Sequence, residues 1–170
     1  MDKDILFSEK QKFSQWWAWL ILIAINGVFI YGIYQQILNG KQFGNNPMSD
    51  TGLIITEIVM LLISILLIRS QLETQIKSDG IYVRFFPFHL KFKYYPWTNI
   101  KKSFVRQYSP LGEYGGWGLR FGIFGSGKAY NVSGNKGLQL EFLNNKKLLI
   151  GTNKPEELNT VLSKLGQNMR

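Results

Sequence analysis

Apolar residues fall along this chain in three successive patterns. From Trp16 to Leu38 the sequence WWAWLILIAINGVFIYGIYQQIL carries no formal charge, and a helix needs about 20 such residues to cross roughly 30 Å of hydrocarbon. Trp16, Trp17 and Trp19 at one end, with Tyr31 and Tyr34 at the other, stand where amphipathic rings favour the two interfaces. A second apolar run, Leu53 to Ile68, is shorter and contains Glu57. Between them NGKQFGNNPMSD, Asn39 to Asp50, supplies the Gly, Asn and Pro that break a helix and permit a hairpin. Residues 1–70 are therefore expected to be a two-pass transmembrane hairpin. A cleaved signal peptide is the weaker alternative, because the stretch lacks a small-residue cleavage site and a second apolar run follows closely.

After Arg69 the period drops to two, the mark of half-buried strands. Leu72, Thr74 and Ile76 alternate with Glu73, Gln75 and Lys77, and Asp79-Gly80 reads as a two-residue turn into Ile81, Val83 and Phe85. A third strand is expected through Phe88, Leu90, Phe92 and Tyr94, with His89, Lys91 and Lys93 on its other face and Pro96 ending it. Further strands are expected at 100–108, 117–121, 129–132, 138–142 and 148–151, with Asn144 and Asn145 turning the last pair. The closing segment changes to helical spacing, with Leu158, Val161, Leu162 and Leu165 on one face. Asn153 is the expected N-cap, Pro155 suits the first turn, and Glu156 and Glu157 favour the positive end of the helix dipole. Residues 71–170 thus predict an antiparallel bent sheet or barrel whose open end is closed by the helix, an α+β architecture.

Charge divides the chain at the same place. Up to Ile68 the balance is minus one, whereas from Arg69 onward sixteen basic residues face six acidic ones. Such an excess calls for an anionic partner, either nucleic acid or an anionic membrane surface, and the apolar hairpin favours the membrane. Lys3, Lys10 and Lys12 precede the first run, Arg69, Lys77 and Arg84 follow the second, and the connecting loop holds only Lys41. Basic flanks resist translocation, so both termini are expected on the cytoplasmic side of the cell membrane.

The segments QLETQIKSDGIYVRFFPF, PWTNI, YGGWGLRFG, KAYNVSGNKGLQLEF and LLIGTNKPEEL resemble the bacterial pleckstrin-homology-like domains attached to short transmembrane hairpins. The resemblance spans roughly Leu72 to Leu165. It implies a seven-stranded bent barrel capped by a C-terminal helix, usually non-enzymatic and often with no assigned ligand. It implies no residue-level site, since the basic early loop with which eukaryotic relatives bind phosphoinositides has no counterpart here.

The best candidate working surface is FHLKFKYYPW, where Lys91, Lys93, Tyr95 and Trp97 are candidate contacts to an anionic surface. The bland alternative for the lysines is the solvated face of a strand. Asn26 and Glu57 are candidate intramembrane polar contacts, read first as helix packing or oligomer contacts: Asn26 near Met60 or Ser64, Glu57 near Tyr31, Tyr34 and Gln35. Gly122, Gly127 and Lys128 match most of a phosphate-binding GxxxxGK loop, but Ala129 replaces the required hydroxyl and AYNVSG reads as strand and turn. With one histidine, His89, and no cysteine, neither a catalytic triad nor a metal site can be assembled from the sequence. The Asn131–Ser133 sequon would go unused on the cytoplasmic side. No catalytic residue and no cofactor are therefore expected. The chain predicts a membrane-anchored interaction or scaffolding module, with the lipid bilayer, a protein partner or a second copy as its partner. A membrane-tethered nucleic-acid binder and a small transport or channel subunit are the alternatives.

Overall fold

The computed structural model describes residues 4–13, 15–122 and 125–167. They form two compact units: a helical one, Gln15–Arg69, and a β unit drawn from the chain on both sides of it.

In the helical unit, α1 (Trp16–Ile33) ends in a wider π turn, Tyr34–Leu38, and α2 covers Asp50–Arg69. Both are long and apolar enough to cross a membrane. Neither has a polar face, and Leu20, Ile23, Leu62 and Ile65 are exposed. Water disfavours such a surface and hydrocarbon accepts it. The connecting loop is tied down by Gln36, whose Nε2 donates to the Met48 carbonyl and to Asp50 Oδ1, each at 2.7 Å.

The β unit begins before the helices. Ile5–Lys12 forms β1, antiparallel to β2 (Gln71–Lys77), with Lys12 opposite Gln71. The N-terminal flank, read above only as part of the hairpin segment, is thus a strand of the basic unit. β2 pairs with β3 (Gly80–Phe86), which pairs with the short β4 (Lys93–Pro96). The second sheet has the order β5-β8-β9-β7-β6, where β5 is Ile100–Gln107, β6 Gly118–Phe121, β7 Lys128–Asn131, β8 Lys136–Phe142 and β9 Lys147–Gly151. A short helix, α3 (Pro110–Tyr114), follows β5, and α4 covers Pro155–Lys164.

The α+β class holds, but the expected antiparallel barrel does not form. Two sheets of four and five strands face each other, neither closed into a barrel, and β7 runs parallel to β9. Both contribute to one core: Leu72, Ile81 and Phe85 from the first, Leu138, Leu140 and Ile150 from the second, and Leu158 and Leu162 from α4. α4 packs against β1, β5 and β8 and covers one seam between the sheets.

Three local expectations shift. The β2–β3 turn is Ser78-Asp79, with Lys77 opposite Gly80. Gly80 is needed inside the strand because a Cβ there would collide with the Tyr95 carbonyl. The third strand lies at Lys93–Pro96 rather than across 88–94, and Phe88 and Leu90 are exposed instead of buried. Pro87 has no N–H to continue the ladder. At α4 the N-cap position is Lys154, with Pro155 in the first turn. Asn153 is engaged elsewhere: its backbone N–H donates to Glu9 (2.8 Å) and its side-chain amide to Ser133 Oγ (3.1 Å).

Candidate functional site

Because α4 covers one seam, the other is left open along the edge strand β4. Residues alternate across a strand, so Lys93 and Tyr95 share a face. Lys93 Nζ donates to the Tyr130 hydroxyl at 3.3 Å and lies 5.6 Å from that ring's centroid. The Tyr95 ring packs on Phe142, with centroids 5.5 Å apart. These contacts join β4 to β7 and β8 across the seam, beside a cleft of about 850 Å³. Lys128 opens β7 two residues before Tyr130, Lys146 ends the turn between β8 and β9, and Lys147 opens β9; all three line the cleft with Lys93. No Asp or Glu is among the described lining residues.

The electrostatics are one-sided. Among the described residues Lys93, Lys128 and Lys146 have no carboxylate partner, and Lys147 has only Glu141 at 3.8 Å. Burial, reinforced by the adjacent Tyr130, pushes the Tyr95 phenol well above its usual range, so it stays a neutral hydroxyl. His89, whose ring meets Tyr130 edge-on at 5.3 Å, is pushed below its ordinary value by burial and then by the Lys93 charge. Neutral at physiological pH, it adds no further cation behind Tyr130.

Of the four residues singled out in FHLKFKYYPW, the structure brings Lys93 and Tyr95 into the cleft and leaves two outside its lining. Lys91 is exposed in the loop before β4. Trp97 packs against the core and donates Nε1–H to the Lys77 carbonyl at 3.1 Å. Sequence reasoning missed Lys128, Tyr130, Lys146 and Lys147, which lie 35 or more positions beyond Lys93 and meet it only through strand pairing. Lys128 did attract notice within the GxxxxGK near-match. It opens a strand and not a helix, so the helix N-terminus that such a loop needs is missing.

No family model matches the chain, and none of the curated proteins matches it. The residues themselves therefore carry the functional reading. Asn131 of the sequon is fully buried, its amide donating to the Tyr108 hydroxyl (3.0 Å) and its carbonyl accepting from the Gly118 N–H (2.9 Å). In the helical unit, Asn26 Nδ2 donates to Ser64 Oγ of the facing helix at 3.1 Å and to the Leu22 carbonyl at 2.6 Å. Glu57 is buried, and neither carboxyl oxygen has a hydrogen-bond partner among the described residues. Two of its expected neighbours bond each other: Gln35 Nε2 donates to the Tyr31 hydroxyl at 2.7 Å. Among the described residues no group of His, Cys, Asp and Glu has the arrangement of a metal site.

Proposed function

We propose that this chain is a two-pass membrane protein whose pleckstrin-homology-like β unit is a non-enzymatic interaction module held against the anionic inner face of the cell membrane. The observation that carries the proposal is an apolar helical hairpin inserted between two paired strands of a basic domain. Since Lys12 and Gln71 are ladder partners, the chain leaves the β unit and returns to it at one place. Helices inserted there start and finish on the same side of a bilayer, as the lysine and arginine flanks independently require. Among the described residues, departures from the pleckstrin-homology-like outline are nine strands in two unclosed sheets where seven strands in a barrel are expected, β1 being one of the nine, and the parallel β7–β9 pair.

Tethering supplies the affinity that individual surface lysines lack, since each basic residue near an anionic leaflet gains only about 1 kcal/mol. Topology is tested on the full chain, which has no native cysteine to interfere. With Asn45→Cys in the connecting loop, a membrane-impermeant maleimide should label intact cells; with Asn144→Cys it should label only after lysis. The reverse pattern sinks the orientation. In nanodiscs, hydrogen exchange at Phe88–Tyr95 should slow when anionic lipid replaces neutral lipid, and changing Lys91 and Lys93 to Met should remove most of a contact worth about 2 kcal/mol. Exchange indifferent to lipid charge discards the anionic partner.

A further inference from the structure

The open seam is more than a basic face, because it is concave and mostly apolar inside. We infer that the cleft is a binding site for a single-chain anionic amphiphile, with a phosphate-monoester head on the lysines and an alkyl chain in the seam between the sheets. The inference rests on the anionic-partner reading above and narrows it to one site and one ligand class. Its volume, about 850 Å³, lies within the range of small-molecule sites, roughly 300–1,000 Å³. A polymer or a flat protein surface does not need such a concavity.

Head and tail are assigned by the lining. Lys93 and Lys128 flank Tyr130, one reaching across the seam and the other two positions away on the same strand face. With Lys146 they are three ammonium groups without a carboxylate partner among the described residues, more than one fatty-acid carboxylate would satisfy. A phosphate monoester carries nearly two negative charges and three acceptor oxygens, and lysine binds phosphate well as a point charge. The apolar part of the wall includes Tyr95, Phe142 and Leu148, and Asn99, Asn144 and Asn145 add neutral polar groups. At the mouth Phe121 and Leu143 are 77% and 64% exposed, so large apolar side chains stand in solvent where an alkyl chain would cover them. A water-soluble phosphate ester gives these residues nothing to contact.

The test uses the full chain in a neutral maltoside detergent, titrated by native mass spectrometry with four probes: oleoyl lysophosphatidate, oleate, oleoyl lysophosphatidylcholine and glycerol 3-phosphate. Lysophosphatidate should saturate at one molecule per chain, oleate should bind more weakly, and the other two should not saturate. Lys93→Met with Lys128→Met should weaken lysophosphatidate binding by about tenfold or more, because charge-assisted contacts to the head are lost. The Lys146 side chain has no hydrogen-bond or ion-pair partner among the described residues, so Lys146→Met alone should weaken binding in the same direction with an unchanged melting temperature. Lys101→Met with Lys102→Met, exposed on β5 outside the cleft, should leave binding within about twofold. Equal losses from the two double variants would overturn the site while leaving a diffuse anionic contact intact. Glycerol 3-phosphate binding as tightly as lysophosphatidate would overturn the amphiphile, and oleate binding more tightly would overturn the phosphate head. Failure of every anionic probe would remove the cleft site; lipid-charge-independent exchange in the nanodiscs would separately remove the anionic-membrane reading.

Discussion

Replacing Glu9 with Ala is expected to destabilise the β unit by about 3 kcal/mol and to loosen β1 from its sheet. Glu9 is buried and reaches the corner between β9 and α4, where it accepts from Thr152 Oγ1 at 2.6 Å and from the Asn153 N–H at 2.8 Å. Gln11 repeats the connection, its Nε2 donating to the Gly151 carbonyl at 2.7 Å. Removing the Glu9 carboxyl leaves the buried Thr152 hydroxyl without an acceptor and takes the partner from the part-buried Asn153 N–H, and the cost of an orphaned buried donor exceeds the net gain from making the bond. For a unit of this size a loss of 3 kcal/mol lowers the melting temperature by roughly 15 °C. Thermal melts of the full chain in detergent, read with hydrogen exchange at Gln71–Lys77, measure both effects. Glu9→Gln keeps one acceptor and should lose about half as much. An unchanged melt with β2 still protected would show that the two sheets do not depend on this connection.

β1 is also the element least legible in the sequence, for a physical reason. Its inward positions are Phe7, Glu9 and Gln11, so the alternation that reveals a half-buried strand is carried by one apolar residue and two polar ones. Periodicity detects burial only where burial is apolar. The β2–β3 hairpin was legible because Leu72, Ile76, Ile81, Val83 and Phe85 all enter the core, and α4 because Leu158 and Leu162 do. The segment around Phe88 misled in the opposite way: Phe88, Leu90 and Phe92 alternate as a strand should, yet Phe88 and Leu90 are exposed and the strand starts only at Lys93. Half of the cleft was visible, since Lys93 and Tyr95 lie in a basic, aromatic run. The other half depends on pairing between distant strands, above all the parallel β7–β9 contact that places Lys128 opposite Leu148, and no local pattern encodes that.

The two seams of the β unit explain why a chain with so little chemistry in its motifs still has one place suited to a ligand. A pair of unclosed sheets exposes a seam at each side, and an open seam is a stability cost unless something apolar fills it. α4 fills the first with Leu158 and Leu162. The second keeps lysines in place of a covering element, and lysines are poor at sealing an apolar interior because their heads stay hydrated. The seam is therefore open to an outside molecule that is apolar at one end and anionic at the other.

In the helical unit, Glu57→Leu is expected to stabilise the hairpin by about 2 kcal/mol, opposite in sign to most substitutions at buried positions. Glu57 lies seven residues into α2, roughly 10 Å along its axis, and both carboxyl oxygens are buried without a hydrogen-bond partner among the described residues. Insertion scales charge about 3 kcal/mol for an acidic residue at mid-helix and credit leucine with a few tenths; a position short of the middle keeps most of that difference. Asn26 is the internal control. It bonds Ser64 across the hairpin, so Asn26→Ala should destabilise slightly, by about 0.6 kcal/mol. Pyrenes on Gln15→Cys and Arg69→Cys report hairpin opening as excimer emission falls during titration with dodecyl sulfate, and the midpoints of the Glu57 and Asn26 variants should move in opposite directions. If Glu57→Leu opens the hairpin earlier, the carboxyl has a partner outside the single chain. Chemical crosslinking in the membrane, compared with and without the substitution, would then identify a second copy as that partner.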